Sequence, residues 1–195
     1  MARQAQINRE TNETKIGLEL NLDGQGQYQI TTGVGYFDHM LSHLAKHALL
    51  DLNLTAQGGL EVDAHHTVED VGIVLGTALR QAMGDRSGIT RYGSEILPMD
   101  DALVMVAVDL GGRPYLGYQA DLGTGDLGGF DLELVEEFFR ALATNGGMNI
   151  HIRLLAGKNR HHCLEAIFKA FGRSLRKALE LDPRVTGVPS TKGIL

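Results

Sequence analysis

The feature that most constrains this chain is a passage written twice. Residues 65–82 read HHTVEDVGIVLGTALRQA, and residues 161–178 read HHCLEAIFKAFGRSLRKA. At a shift of 161 − 65 = 96, His65 meets His161, His66 meets His162 and Glu69 meets Glu165. Gly76, Leu79, Arg80 and Ala82 then meet Gly172, Leu175, Arg176 and Ala178 without a gap. A second pair of segments, DHMLSHLA at 38–45 and EEFFRALA at 136–143, corresponds at a shift of 136 − 38 = 98. Helical segments recurring in one order at nearly one spacing imply duplication rather than coincidence.

Each half has the same coarse grammar. In the first, strands are predicted at Lys15–Leu22 and Gly26–Thr31 around the Asp23-Gly24 turn signal. A helix from Asp38 to Leu49, capped by Asp38, precedes a strand at Asp51–Ala56 and a helix from His65 to Met83 stopped by Gly84. In the second half, strands at Ala102–Leu110 and Pro114–Asp121 flank the Gly111-Gly112 turn, and Gly123–Gly129 is a loop. A helix at Leu132–Thr144, a strand at Met148–Leu155 and a helix at Arg160–Glu180 follow. The fold class is therefore α+β: two duplicated ββαβα halves, helices on one face of each sheet, packed about a pseudo-two-fold axis. The expected bounds are 1–90 for the first half and 91–181 for the second, within one compact unit. Residues 182–195, rich in Pro, Gly and Ser, are expected to form a C-terminal arm.

Composition excludes several functions. Of the 195 residues 43% are hydrophobic, enough for a real core. The net charge of −6 disfavours a nucleic-acid partner, though a local basic pocket is compatible with it. The only cysteine, Cys163, excludes an intrachain disulfide and fits a reducing compartment. The beginning, MARQAQINRETNETK, lacks the apolar core of a signal peptide, and no run of about 18 apolar residues is present. A soluble cytoplasmic protein with no membrane partner is expected.

The chemistry resides in the repeated His-His-x-x-Glu. Positions i, i+3 and i+4 share a helix face, so Glu69 sits beside His65 or His66 while the adjacent imidazoles diverge by about 100°. One helix start can thus serve two centres. Imidazole with carboxylate, and no thiolate, suits Mn, Fe or Zn rather than a structural zinc. His39, His43 and His47 form a further stripe at i, i+4 and i+8, read either as ligands or as a half-buried face. Asp100-Asp101 reads as a turn, and His151 as a structural strand residue.

HHTVED, NRHHCLEAIFKAFGRSLRKA, YFDHMLSHLAKHALLD, GGRPYLGY and PSTKG together resemble the imidazoleglycerol-phosphate dehydratases across essentially the whole chain. The resemblance implies a hydro-lyase of histidine biosynthesis using two Mn2+ ions per subunit. One ion would take His39, His66, Glu69 and His161; the other would take His65, His162, Glu165 and a ligand from the helix at 136–143. That last position is often His in an EHFF context, whereas this chain has Glu137, a carboxylate able to ligate Mn. The resemblance further implies that Glu13 is the acid–base group, with the ligands Glu69 and Glu165 alongside it, and that His47 and Lys169 contact substrate. Arg91, Arg113, Ser190, Thr191 and Lys192 would hold its phosphate. The implied reaction converts imidazole glycerol phosphate to imidazole acetol phosphate. The ring becomes an imidazolate and expels the neighbouring hydroxyl, giving a diazafulvene-type intermediate whose next C–H is removable. The family assembles from trimers into a 24-mer with sites at subunit interfaces. Two other readings stay open on the residues alone: a dinuclear metal-dependent phosphohydrolase, and a non-catalytic metal-storage protein.

Overall fold

Ile16, Leu18 and Leu20 alternate with Lys15, Gly17 and Glu19, so the strand that carries them has one apolar and one polar face. That alternation seats a sheet on a helical layer. In the computed structural model, which describes residues 2–193, the first half comprises β1 (Gln4–Glu10), β2 (Thr14–Asn21), β3 (Tyr28–Thr31), α1 (Gly35–Ala48), β4 (Asp51–Gly58) and α2 (His65–Met83). The second half begins with β5 (Tyr92–Met99), β6 (Ala102–Asp109) and β7 (Tyr115–Gln119). A small hairpin, β8 (Asp126–Leu127) and β9 (Phe130–Asp131), is inserted ahead of α3 (Leu134–Gly146), β10 (Asn149–Ala156) and α4 (Arg160–Leu179). The sheets run β1-β2-β4-β3 and β5-β6-β10-β7, the same order under the repeat. In each, two antiparallel pairings are followed by one parallel pairing, β4 with β3 and β10 with β7.

The duplicated α+β sandwich is thus the observed architecture, with one leading strand more in each half than the ββαβα reading. β1 has only Ala5 buried among Gln, Asn, Arg and Glu, too thin an alternation to announce a strand. β5 contains Gly93 and Pro98, which argue against a strand; it is an edge strand, where proline is tolerated. Gly93 is required there, because a Cβ would lie 1.9 Å from the Ser174 carbonyl oxygen. The Gly123–Gly129 loop contains β8. Asp38 is not a cap: α1 begins at Gly35, and the Asp38 carboxylate instead accepts from the Thr32 backbone N–H (2.9 Å) and hydroxyl. The described part of the arm lies against the 88–90 segment, with Gly88 N–H donating to the Gly187 carbonyl (2.9 Å) and Asp182 N–H to the Gly88 carbonyl (2.9 Å).

The halves are joined by exchange of helix contacts: α1 packs on α4, and α2 on α3. Both crossings are close enough to need glycine. A Cβ on Gly76 would lie 2.7 Å from the Leu142 carbonyl oxygen, and one on Gly172 would lie 2.8 Å from the Leu44 carbonyl oxygen. These contacts are images of each other, since 76 + 96 = 172 and 44 + 98 = 142. Phe138, Phe139, Phe168 and Phe171, all fully buried, fill the space around the helices. No helix among the described residues is long and apolar enough to cross a membrane.

Replacing Gly172 by Ala is expected to overpack the α1–α4 crossing and lower stability by about 1–3 kcal/mol. Urea unfolding checks this, and an unchanged midpoint would mean that the helices separate without loss.

Candidate active site

Each histidine pair starts a helix, and a side chain two residues upstream holds it there. Asn159 caps α4 by accepting from the backbone N–H of His161 (3.0 Å) and His162 (3.4 Å). Asp63, its equivalent under the repeat (159 − 63 = 96), accepts from the His65 N–H at 2.8 Å. The turn between β5 and β6 adds a second constraint. Asp101 Oδ2 accepts from the Lys158 (2.6 Å) and Asn159 (3.0 Å) N–H groups, while its Oδ1 meets His162 Nδ1 at 2.8 Å. Those contacts hold the Asp101 carboxyl well below its usual pKa, the Asn159 N–H most strongly. Asp100-Asp101 is therefore the turn expected, and it also orients a site histidine.

The α1–α4 crossing brings the stripe of the first half onto the HHxxE of the second. Glu165 is buried, 7% exposed, and its carboxylate is the hub. His161 Nε2 lies 3.1 Å from Oε2 and His39 Nε2 3.7 Å from the same oxygen, while His43 Nε2 is 3.3 Å from Oε1. Lys169 Nζ also bonds Oε1. Burial works to raise the Glu165 pKa, but Lys169, His43 and His161 outweigh it and hold the group low. Burial pushes His43 down to about 4, and the neighbouring charges of His39, Lys169 and His47 act in the same sense against the pull of Glu165. His47, stacked on His43 with centroids 6.2 Å apart, is lowered first by burial and then by Lys169 and Arg173. Tyr36 packs edge-on to His161 at 5.5 Å, its hydroxyl buried without a hydrogen-bond partner among the described residues.

The equivalent cluster of the other half is more open. His65 Nε2 lies 3.9 Å from Glu69 Oε2, and His66 Nδ1 3.5 Å from Glu13 Oε2. Glu13 is positioned by a turn in which Thr11 Oγ1 accepts from the Glu13 (3.2 Å) and Thr14 (3.0 Å) N–H groups. Thr14 and Arg9 both bond Asp70, tying that turn to α2 beside Glu69. His65 and Glu137 line one cavity of about 880 Å³, with Asp63, Asp126, Asp131 and Glu133 also in its wall. Glu137 Oε1 lies 3.7 Å from Arg140 Nε.

A third locus is basic. Arg91, Arg113, Ser190, Thr191 and Lys192 line one cavity of about 730 Å³ with Tyr92, Gly111 and Pro189. Arg91 is partly committed there: it makes a two-point pair with Asp109 (2.7 and 3.2 Å) and donates to the Pro189 carbonyl (2.9 Å), anchoring the arm. His151 is exposed on β10 beside the Tyr115 ring (5.4 Å), away from these clusters.

The donor sets fit a divalent ion. Donors bonded to one ion at about 2.1 Å stand roughly 3.0–3.4 Å apart at octahedral and tetrahedral angles. The atoms of His39, His43 and Glu165 lie within 4.8 Å of one another, the one such group of three or more among the described residues. Within one chain, however, His39 meets Glu165 and His161, and no bond or ion pair joins it to His66 or Glu69 among the described residues. His43 is the residue that sequence reasoning left undecided; its signal was the i, i+4, i+8 stripe.

These observations define a class: a duplicated α+β sandwich whose helix crossings each carry a histidine–carboxylate cluster, with a separate basic cavity. The sequence model of the imidazoleglycerol-phosphate dehydratase family matches residues 32–175. The chain is 55% identical over 195 residues to the imidazoleglycerol-phosphate dehydratase of Moorella thermoacetica and 57% identical over 195 residues to that of Acetivibrio thermocellus, covering 100% of both chains in each case. The crystal structure of the Staphylococcus aureus imidazoleglycerol-phosphate dehydratase superposes with a TM-score of 0.84 at 44% identity, covering 92% of this chain and 99% of that one. The Pyrococcus furiosus enzyme in complex with (S)-C348 gives 0.84 at 39% identity, covering 97% and 100%. The chain belongs to the imidazoleglycerol-phosphate dehydratase family, the hydro-lyases of EC 4.2.1.19.

Asn159→Ala is expected to cost about 1 kcal/mol by leaving two N–H groups at the start of α4 without an acceptor. Equal denaturation midpoints for variant and parent would show that water replaces the cap without loss.

Proposed function

We propose that the chain dehydrates imidazole glycerol phosphate to imidazole acetol phosphate in histidine biosynthesis, in the cytoplasm, with two Mn2+ ions per subunit. The observation that carries this reading is the packing of each HHxxE helix on the stripe-bearing helix of the opposite half, with His161 beside His39 across α1–α4, and His65 and Glu137 in the wall of one cavity at α2–α3. One centre comprises His39, His66, Glu69 and His161; the other comprises His65, Glu137, His162 and Glu165. Since α2 and α4 belong to different crossings in one chain, the second pair of each centre comes from a neighbouring copy.

A distance supports the same assembly. The basic cavity lies at the Tyr92–Asp109 end of the β5–β6 hairpin, whereas His162 is tied to the turn at its other end. Eight residues of strand lie between, about 23 Å at the usual rise. A substrate made of one ring, three carbons and a phosphate is far shorter, so ring and phosphate sites of one active centre come from different subunits. The outer face of the second sheet offers a surface for that neighbour. Ile96, Pro98, Leu103 and Met105 lie there, where the first sheet presents Gln6, Lys15, Glu19 and Asn53. We assign the oligomer as a 24-mer of trimers from the family resemblance.

When bound, the two ions supply Lewis-acid stabilisation of the deprotonated substrate ring. The chain's own groups do the rest. Arg113, Lys192 and the Ser190 and Thr191 hydroxyls bind the phosphate, with Arg91 holding the arm against them. Lys169 and His47 lie along the same helix crossing as Glu165 and contact the substrate. The ring N–H proton and the departing hydroxyl leave together as water. Glu13, an exposed carboxylate beside His66, then takes the proton from the next carbon and returns it to the ring-bearing carbon as the enol becomes the ketone.

The direct test is turnover of imidazole glycerol phosphate by metal-stripped protein before and after adding Mn2+, with bound metal counted. Mn-dependent ketone formation at about two ions per chain is expected; release of inorganic phosphate without ketone would replace this reading with a phosphohydrolase. Arg113→Ala is expected to raise KM at least about tenfold with metal content unchanged. Loss of metal in that variant would remove Arg113 from phosphate binding.

A further inference from the structure

The phosphate reading leaves one cation beside the basic cavity without a task. Arg86, in the link between α2 and β5, is only 8% exposed. Its backbone is left-handed (φ +60°), a conformation that residues other than glycine rarely adopt, and its N–H donates to the Met83 carbonyl (3.1 Å). The side chain is poorly served for a buried ion. Nη2 reaches the Gly146 carbonyl at 3.5 Å, the outer limit of a hydrogen bond, and Nε has no hydrogen-bond partner among the described residues. Burial, and then Arg80, push the group's pKa down, while Asp109 draws it up. Buried polar groups are ordinarily bonded, so a half-bonded guanidinium on a strained backbone calls for a purpose.

Its surroundings supply one. A Cβ on Gly147, at the end of α3, would lie 3.3 Å from Arg86 Nη2 and 3.4 Å from the Gly112 carbonyl oxygen. The guanidinium is therefore wedged between the carbonyl end of α3 and the Gly111-Gly112-Arg113 turn. Gly111 and Arg113, from that turn, line the basic cavity, and Arg86 does not. Asp109, the carboxylate that attracts Arg86, is already in a two-point pair with Arg91. Of the four cations Arg86, Arg91, Arg113 and Lys192, only Arg91 has an ion pair among the described residues. The excess of positive charge suits a dianion. We propose that Arg86 is a positioning residue for the phosphate group: its guanidinium braces the Gly111–Arg113 turn from behind and adds a buried cation to that end of the molecule. It touches no reacting atom. The inference rests on the basic cavity being the phosphate site and is independent of the metal centres.

The test titrates inorganic phosphate into the full-length protein by calorimetry. Arg86→Gln, which keeps an amide donor and removes the charge, is expected to weaken binding at least about fivefold. Arg86→Lys, which keeps the charge, is expected to recover most of that loss. With substrate, Arg86→Gln is expected to raise KM by the same factor while kcat changes by less than about twofold. An Arg86→Gln isotherm that overlays the parent overturns the proposal whatever the variant's stability, because it leaves Arg86 as a brace for α3 alone. Should that variant fail to fold, the unmodified protein decides it: the 15N signal of Arg86 Nε shifts on adding phosphate, and its staying in place at saturation overturns the proposal. If Arg113→Ala and Arg86→Gln both bind phosphate as the parent does, the phosphate reading of the cavity falls with it. Arg86-dependent phosphate binding in a protein that never dehydrates the substrate would support this inference while removing the dehydratase reading.

Discussion

Everything in this molecule depends on how closely its helices cross. A carbonyl oxygen of one helix sits where the Cβ of any residue but glycine would project from the next, at Gly76 in one crossing and Gly172 in the other. At those two points no side chain stands between the helix backbones. The close approach lets short imidazole and carboxylate groups at the helix ends reach one another. The buried Glu165 carboxylate is stabilised there by His43 from the facing helix and by His161 and Lys169 from its own.

The two clusters began as copies and have drifted apart. Glu165 is buried beneath three imidazoles and a lysine, whereas Glu69 is about half exposed beside His65. The stripe differs too: His39 and His43 on α1 correspond to Glu137 and Ala141 on α3, and the β8–β9 hairpin exists only on the α3 side. An acidic wall of Asp63, Asp126, Asp131, Glu133 and Glu137 results, opposite in sign to the basic cavity of Arg91, Arg113 and Lys192. A pseudo-symmetric frame thus presents chemically different ends to its surroundings.

What could be read from the sequence follows the same physics. The helices bearing HHxxE announce themselves by period and by repetition, and their observed starts agree with those expected. β1 and β5 were hidden, because an edge strand needs little apolar surface and tolerates the proline and glycine that ordinarily count against it. Asp38 looked like a cap because carboxylates favour that position, yet its partner, Thr32, lies in the chain just ahead of α1 and draws it sideways. His43 was visible as a member of a stripe but ambiguous, since the carboxylate that gives it meaning arrives from the opposite half. Taken one by one, the basic residues around Arg113 read as ordinary surface residues; GGRPYLGY and PSTKG name them by resemblance, and the folded arm gathers them.

The exchange of helices has a consequence for the folding reaction itself. Each half leaves its helical face bare unless the other half is present: α1 meets α4 and α3 meets α2. Neither half is a unit that can be completed first and stored while the second emerges. The helical layer of the native core forms by contacts between the two halves, far apart along the chain, which raises contact order and slows the search. Duplication has here produced one cooperative body rather than two beads, and a half-length ancestor with the same glycine crossing would have had to pair with itself to exist.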